Sequence, residues 1–204
     1  MFVLFAQATF FTLPFVLTGL VHIAIIKYGL LKQLECIQLD GGLTINRRPI
    51  FGKNKTLRGA VTVIFSTTAF FVLEGVAARN SSFIANVVLV DNNVIVSAGW
   101  GALLGLGCIL GELPNSFLKR RLNIEPGAES RNASLRVFFW VWDQVDSVFG
   151  VIILARLYWK PSWRMLMTLF VFALVIHPIG AALMVRLGLK QTSRLVGRRL
   201  AAQA

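Results

Sequence analysis

Apolar and polar positions along the 204-residue chain come in long blocks rather than in alternation. Five mostly apolar runs occupy 9–31, 59–78, 94–113, 135–157 and 163–187. Each has about the 20 residues needed to cross the hydrocarbon core of a bilayer. The pattern predicts an all-α polytopic membrane protein: about five transmembrane helices, one integral domain over 1–204, and cytoplasmic loops that form a polar site. The first run is not expected to be a cleaved signal peptide, because no Lys or Arg precedes it and its apolar stretch is too long. Residues 37–45 place Asp40-Gly41-Gly42 between β-formers and predict a short hairpin turning there. No internal repeat or low-complexity linker is found.

Composition strengthens the class. The chain is 56% hydrophobic and 15% charged, against about 25% charged in soluble domains. The net charge of +12 changes the picture through its distribution. Lys32, Arg47, Arg48, Lys53, Lys55 and Arg58 follow run one; Lys119, Arg120, Arg121, Arg131 and Arg136 follow run three. Arg186, Lys190, Arg194, Arg198 and Arg199 lie in or after run five. The other two intervals hold only Arg79, Arg156, Lys160 and Arg164. Basic loops stay cytoplasmic, so the amino terminus is expected outside, the carboxyl terminus inside, and the polar site facing the cytoplasm from an inner (cytoplasmic) membrane. No basic run is interleaved with exposed aromatics, so no nucleic-acid partner is expected. Cys36 and Cys108 form no pair or metal spacing, and Cys108 reads as a small core residue. Run three carries Gly101, Gly105, Gly107 and Gly111 at spacings of four; these let a neighbouring helix approach closely and would also serve a homodimer.

Three polar clusters could carry chemistry. Residues 47–59 combine glycines, Thr56 and the cations Lys53, Lys55 and Arg58 at the start of run two. A helix amino terminus with free N–H groups favours anions, although the first glycine of a Walker loop is missing. The same segment also reads as a topogenic loop against lipid headgroups. At the end of run three, Glu112 precedes Ser116, Lys119, Arg120 and Arg121. If the helix continues past Pro114, Glu112, Ser116 and Lys119 share a face; the three cations also read as a stop-transfer run. Asp143 and Asp146 stand three apart in run four, on one helical face. Each acid inside a span costs about 2.5–3.5 kcal/mol. A divalent cation would offset that, and Mg²⁺ takes one or two carboxylates plus phosphates; arginine pairing is the structural alternative. His22, and His177 before Pro178, read as packed histidines, and Glu74 lies away from the clusters.

The three clusters together resemble a known family. RRPIFGKNKTLRG at 47–59, GELPNSFLKRRLNIEPG at 111–127 and DQVDSVFG at 143–150 are similar, in order, to the three motifs of the CDP-archaeol synthase family. Its members are small relatives of the phosphatidate cytidylyltransferases. The resemblance implies a five-helix frame and an Mg²⁺-dependent reaction. In it CTP and a lipid phosphate, phosphatidate-like or ether-linked, give a CDP-lipid and pyrophosphate. It further implies Asp143, Asp146 and Glu112 at the metal, with Lys119 in the catalytic set. Lys53, Lys55, Thr56, Arg58, Gly59, Ser116, Arg120 and Arg121 would bind the phosphates. Glu112 departs from the family's usual Asp, and residues 128–142 form a longer, more polar connection than expected. A small transporter with Asp143 and Asp146 on an ion path is the rival from another class, and a family member without activity is a second; the first lacks the repeat symmetry transporters show.

Overall fold

The computed structural model describes residues 2–89 and 93–189. The basic residues Lys190, Arg194, Arg198 and Arg199, used above to orient the chain, lie outside that range. Five long helices dominate: α1 (Phe2–Lys27), α3 (Leu57–Asn80), α5 (Val94–Arg121), α6 (Ala133–Ala155) and α7 (Trp163–Arg186), with short α2 (Lys32–Glu35) and α4 (Ser82–Val87) between them. All five are long and apolar enough to cross a membrane, and the protein is an integral membrane protein. Phe65, Leu73, Ile153 and Val171 are each more than half exposed, the surface that lipid requires.

Local chemistry sets the helix ends. Gly29 adopts a left-handed φ of 62°, and Leu30 N donates to Ile25 O at 2.9 Å. This Schellman-type closure stops α1 at Lys27, earlier than the expected 31. Asn132 caps α6 by accepting from Ser134 N and Leu135 N, and Ser162 caps α7 by accepting from Met165 N. At the other end of α5 the helix runs through Pro114 to Arg121, two turns beyond the expected boundary, and carries the second polar cluster with it.

The helices close into a ring. α5 packs between α3 and α6, α1 packs on α3 and α7, and α7 closes onto α6. Glycine makes the tightest contacts. A Cβ on Gly101 would lie 2.7 Å from Thr68 Cα of α3, and one on Gly105 would lie 2.9 Å from Ile64 Cα. Gly107, Gly111 and Gly150 bring α5 and α6 into backbone contact beside Asp146. The small-residue stripe that would have served a homodimer is therefore occupied within the chain, by α3 and α6. The core lies toward one end of the ring, where Ala8, Phe11, Phe71, Trp100, Leu104, Val151, Ala155, Met165 and Leu169 pack together. The three clusters lie at the other end.

The hairpin differs from expectation. Its strands are β1 (Thr44–Ile45) and β2 (Arg48–Pro49), paired antiparallel. Its turn is Asn46-Arg47, with φ of 52° and 61°, values that a primed hairpin turn demands. Asp40-Gly41-Gly42 instead forms a separate bend, because the Asp40 carboxylate is engaged elsewhere.

Candidate active site

Asp40 organises the first cluster. Its carboxylate accepts from Gly42 N at 3.0 Å, Phe51 N at 2.8 Å and Gly52 N at 3.1 Å. Burial pushes its pKa up, but the three backbone donors outweigh burial and hold it below the ordinary aspartate value. Gly52, at φ 98°, packs so closely that a Cβ there would lie 2.9 Å from Pro126 Cγ. The loop is thereby seated on the segment that follows α5. Thr56 is the N-cap of α3, its hydroxyl accepting from Gly59 N at 3.5 Å. Arg58 donates to Glu35 at 2.8 Å, and Lys53 is exposed.

Arg120 and Arg121, adjacent in sequence, have different surroundings. Arg121 donates to three carbonyls of the hairpin, Ile45 at 2.7 Å, Arg48 at 3.1 Å and Pro49 at 2.6 Å. Expected on phosphate, its guanidinium instead clamps the hairpin to α5, and Arg48 returns a bond to Arg121 O at 2.6 Å. Arg120 is buried beneath Gly52, and its Nε and Nη1 have no hydrogen-bond partner among the described residues. These two nitrogens are closed off from solvent and unsatisfied, and Glu125 is the opposite charge that acts on the guanidinium.

The carboxylates also divide. Asp143 and Asp146 do share a face, and both reach the same side chain: Asn115 Nδ2 donates to Asp143 Oδ1 and to Asp146 Oδ2, each at 2.6 Å. Lys119 pairs with Asp143, and Asp146 Oδ1 accepts from Ser147 N at 2.7 Å. Glu112, expected to join them at a metal, pairs with Lys55 of the loop that precedes α3 and lies close enough to Asp146 to act on it electrostatically. Among the described residues, no three His, Cys, Asp or Glu side chains are placed to hold an ion together. The working face of α5 is thus Glu112, Asn115 and Lys119. Ser116, four on from Glu112 and three before Lys119, flanks this face on the side away from Asn115 and is half-buried. Asn115 is not among the residues that the sequence predicts for the site. Its spacing of three from Glu112 and four from Lys119 was the available signal.

Two converging carboxylates suit a hard divalent cation, which takes oxygen ligands. Their present neutralisation comes from one lysine and one neutral amide, so Asp146 lacks a full counter-charge. The residues fit Mg²⁺.

Beside this cluster the ring encloses a cavity of about 580 Å³. Its walls are apolar side chains of α1, α3, α6 and α7, including Phe15, Ile23, Val151 and Ile176. Its polar end is formed by His22, Lys55, Thr56, Arg58, Glu112 and His177. Both histidines, expected merely to pack, therefore line it, and His22 Nδ1 is buried with no partner among the described residues. Cys108 lines the same wall rather than only filling the core. The Lys55–Glu112 pair stands where the cavity ends, while Asp146 precedes Ser147, which also lines it. A cavity that is apolar along its length and cationic at one end fits an amphipathic anion.

A family model described as CarS-like, CDP-archaeol synthase, matches residues 4–193. The CDP-archaeol synthase of Methanocaldococcus jannaschii is 26% identical over 72% of this chain and 76% of its own length. That of Thermofilum pendens is 29% identical over 78% and 67%. A solved structure, described as an intramembrane enzyme for archaeal membrane lipids biosynthesis, superposes with a TM-score of 0.59 at 21% identity, covering 86% of this chain and 92% of the other. At that identity the superposition shows the fold.

Proposed function

The chain belongs to the CarS-like CDP-archaeol synthase family, and on that premise we propose that it transfers the cytidylyl group of CTP to a membrane lipid phosphate, releasing pyrophosphate. The observation that carries this reading is the meeting of two environments at Lys55 and Glu112: a largely apolar cavity on one side and a carboxylate pair among cations on the other.

In this reading the lipid's chains occupy the cavity, and its phosphate reaches the polar end, where Lys55 and Arg58 are the charged donors. Arg120, with two uncommitted N–H groups under the Gly52 loop, holds phosphates of the nucleotide. Lys119 leaves Asp143 for the triphosphate once other charge neutralises that carboxylate. Lys53 and the N–H groups at the start of α3, Gly59 included, add positive potential near the nucleotide. Asp143 and Asp146 would hold Mg²⁺, which when bound supplies charge neutralisation at the transferring phosphorus. A lipid phosphate oxygen attacks the α-phosphorus in line, the bond to the β-phosphate oxygen breaks, and pyrophosphate leaves. The protein's share of the work is positioning and electrostatics. Basic loops on the same side support a cytoplasmic position for this end of the ring, where CTP is available.

The test is a transfer assay on the purified protein with labelled CTP, Mg²⁺ and a panel of lipid phosphates, ester and ether. The relatives' name puts archaeol phosphate first on the panel. The expected product is a CDP-lipid that is absent with Asp146→Asn. Absence of product with every lipid, together with no CTP binding, would sink the reading.

A further inference from the structure

The amide of Asn115 is held in an arrangement that only a cation-free site favours. Its residue is 3% exposed. Its Nδ2 bridges Asp143 and Asp146 at 2.6 Å each, while its Oδ1, on the same carbon, is buried without a partner among the described residues. A buried amide oxygen ordinarily finds a donor. Here the orientation is dictated by the acids: the reverse would bring the amide oxygen against two carboxylates with no positive charge between them.

A divalent cation changes that balance. Amide oxygens are good ligands for hard cations, and a half turn of the Asn115 side chain about χ2 exchanges donor and acceptor without moving α5. The turn breaks only the two N–H bonds to the carboxylates, because Oδ1 forms none among the described residues. Glu112, the acid one turn before Asn115 on the same helix, is engaged by Lys55. The helix spacing that lets Asn115 reach both acids is set by Gly111 and Gly150 in backbone contact, so the point of convergence is rigid.

We propose that Asn115 is the third protein ligand of the metal held by Asp143 and Asp146, and that its amide reverses when the ion binds. This rests on the Mg²⁺ site of the functional reading and adds a ligand that the carboxylate pattern omits. The NH₂ group acts as a placeholder for the ion in its absence, and the oxygen as its ligand in its presence.

The experiment measures Mn²⁺ binding by electron paramagnetic resonance of the free ion, on the full chain in detergent, with and without CTP. It compares the wild type with Asn115→Ala, Asn115→Asp and Asp146→Asn. A ligand role predicts about tenfold weaker Mn²⁺ binding in Asn115→Ala, the scale seen when partners of a metal site are removed, and binding at least as tight as wild type in Asn115→Asp. Equal or tighter binding in Asn115→Ala would overturn the proposal, leaving Asn115 as a placeholder that only competes with the ion. Should Asn115→Ala not fold, Asn115→Asp decides: weakened binding there overturns it. If wild type and Asp146→Asn bind Mn²⁺ alike, the metal site itself fails and this inference with it; a difference between those two, with none at Asn115, sinks the inference alone.

Discussion

Where Phe11, Phe71, Trp100 and Leu104 meet, the helices of the ring fill its interior with apolar side chains. From the edge of this core, at Phe11, Val151 and Leu169, the same helices leave a cavity and close its far end with Lys55, Arg58, Glu112 and two histidines. The difference matters because lipid tails are as apolar as the core, so burial alone gives membrane helices little reason to associate. Close packing and glycine contacts hold the ring. Apart from Asp40, Arg48 and Arg121, which hold the loop and hairpin, the charged groups of the polar end are thereby left partly uncommitted for substrate. Charge changes at one end should remove activity and spare stability, and packing changes at the other should do the reverse.

The largest expected effect is at the carboxylates. Asp146→Asn should lower the rate of transfer by about 10²–10³-fold, the usual loss of a charge-stabilising group, while thermal unfolding in detergent shifts little. Leu104→Ala should do the opposite. It should cost about 2–3 kcal/mol, the low part of the range for core truncations, because a helix separated in lipid still keeps leucine in apolar surroundings; kcat of the folded fraction should be unchanged. Gly150→Ala breaks the division on purpose, since it lies at the α5–α6 contact beside Asp146. Overpacking there should cost about 1–3 kcal/mol and reduce transfer as well, read by unfolding and rate on one preparation.

The smallest effect belongs to Asp40. Asp40→Asn should raise KM for the lipid phosphate severalfold with kcat nearly intact, because the loop bearing Lys55 loses its charged staple. The pH dependence follows from its depressed pKa. A carboxylate held below its unfolded value contributes stability that is fully present above that value and lost as pH falls through the folded one. Protection of the 40–56 loop in hydrogen exchange should therefore hold at neutral pH and fall only below the ordinary aspartate range. Loss of protection already near pH 6 would show that Asp40 is not the staple.

Much of this was legible in the sequence. Run length and composition sufficed for five spanning helices, because every backbone group in lipid must be bonded internally and helices do that. The pairing of Asp143 with Asp146 followed from helical spacing alone. The rest depended on distance in space. Nothing local says that Arg121 clamps a hairpin while Arg120 stays uncommitted, since both are basic residues at one helix end. Asp40-Gly41 is a strong local turn signal, yet the hairpin turns at Asn46-Arg47, because the Asp40 carboxylate bonds to Phe51 and Gly52, eleven and twelve residues away. Nothing local says that Glu112 meets Lys55, which stands 57 residues earlier in the chain. The histidines were undervalued because a packed His and one lining a cavity look alike until the cavity exists.

The most direct test of the central claim follows the label. Two samples of CTP, one labelled at the α-phosphorus and one at the γ-phosphorus, are given to the protein in liposomes containing the accepted lipid phosphate. Transfer through the polar end predicts α-label in the lipid and γ-label in released pyrophosphate. Appearance of γ-label in the lipid, or hydrolysis with no label in lipid at all, would contradict it.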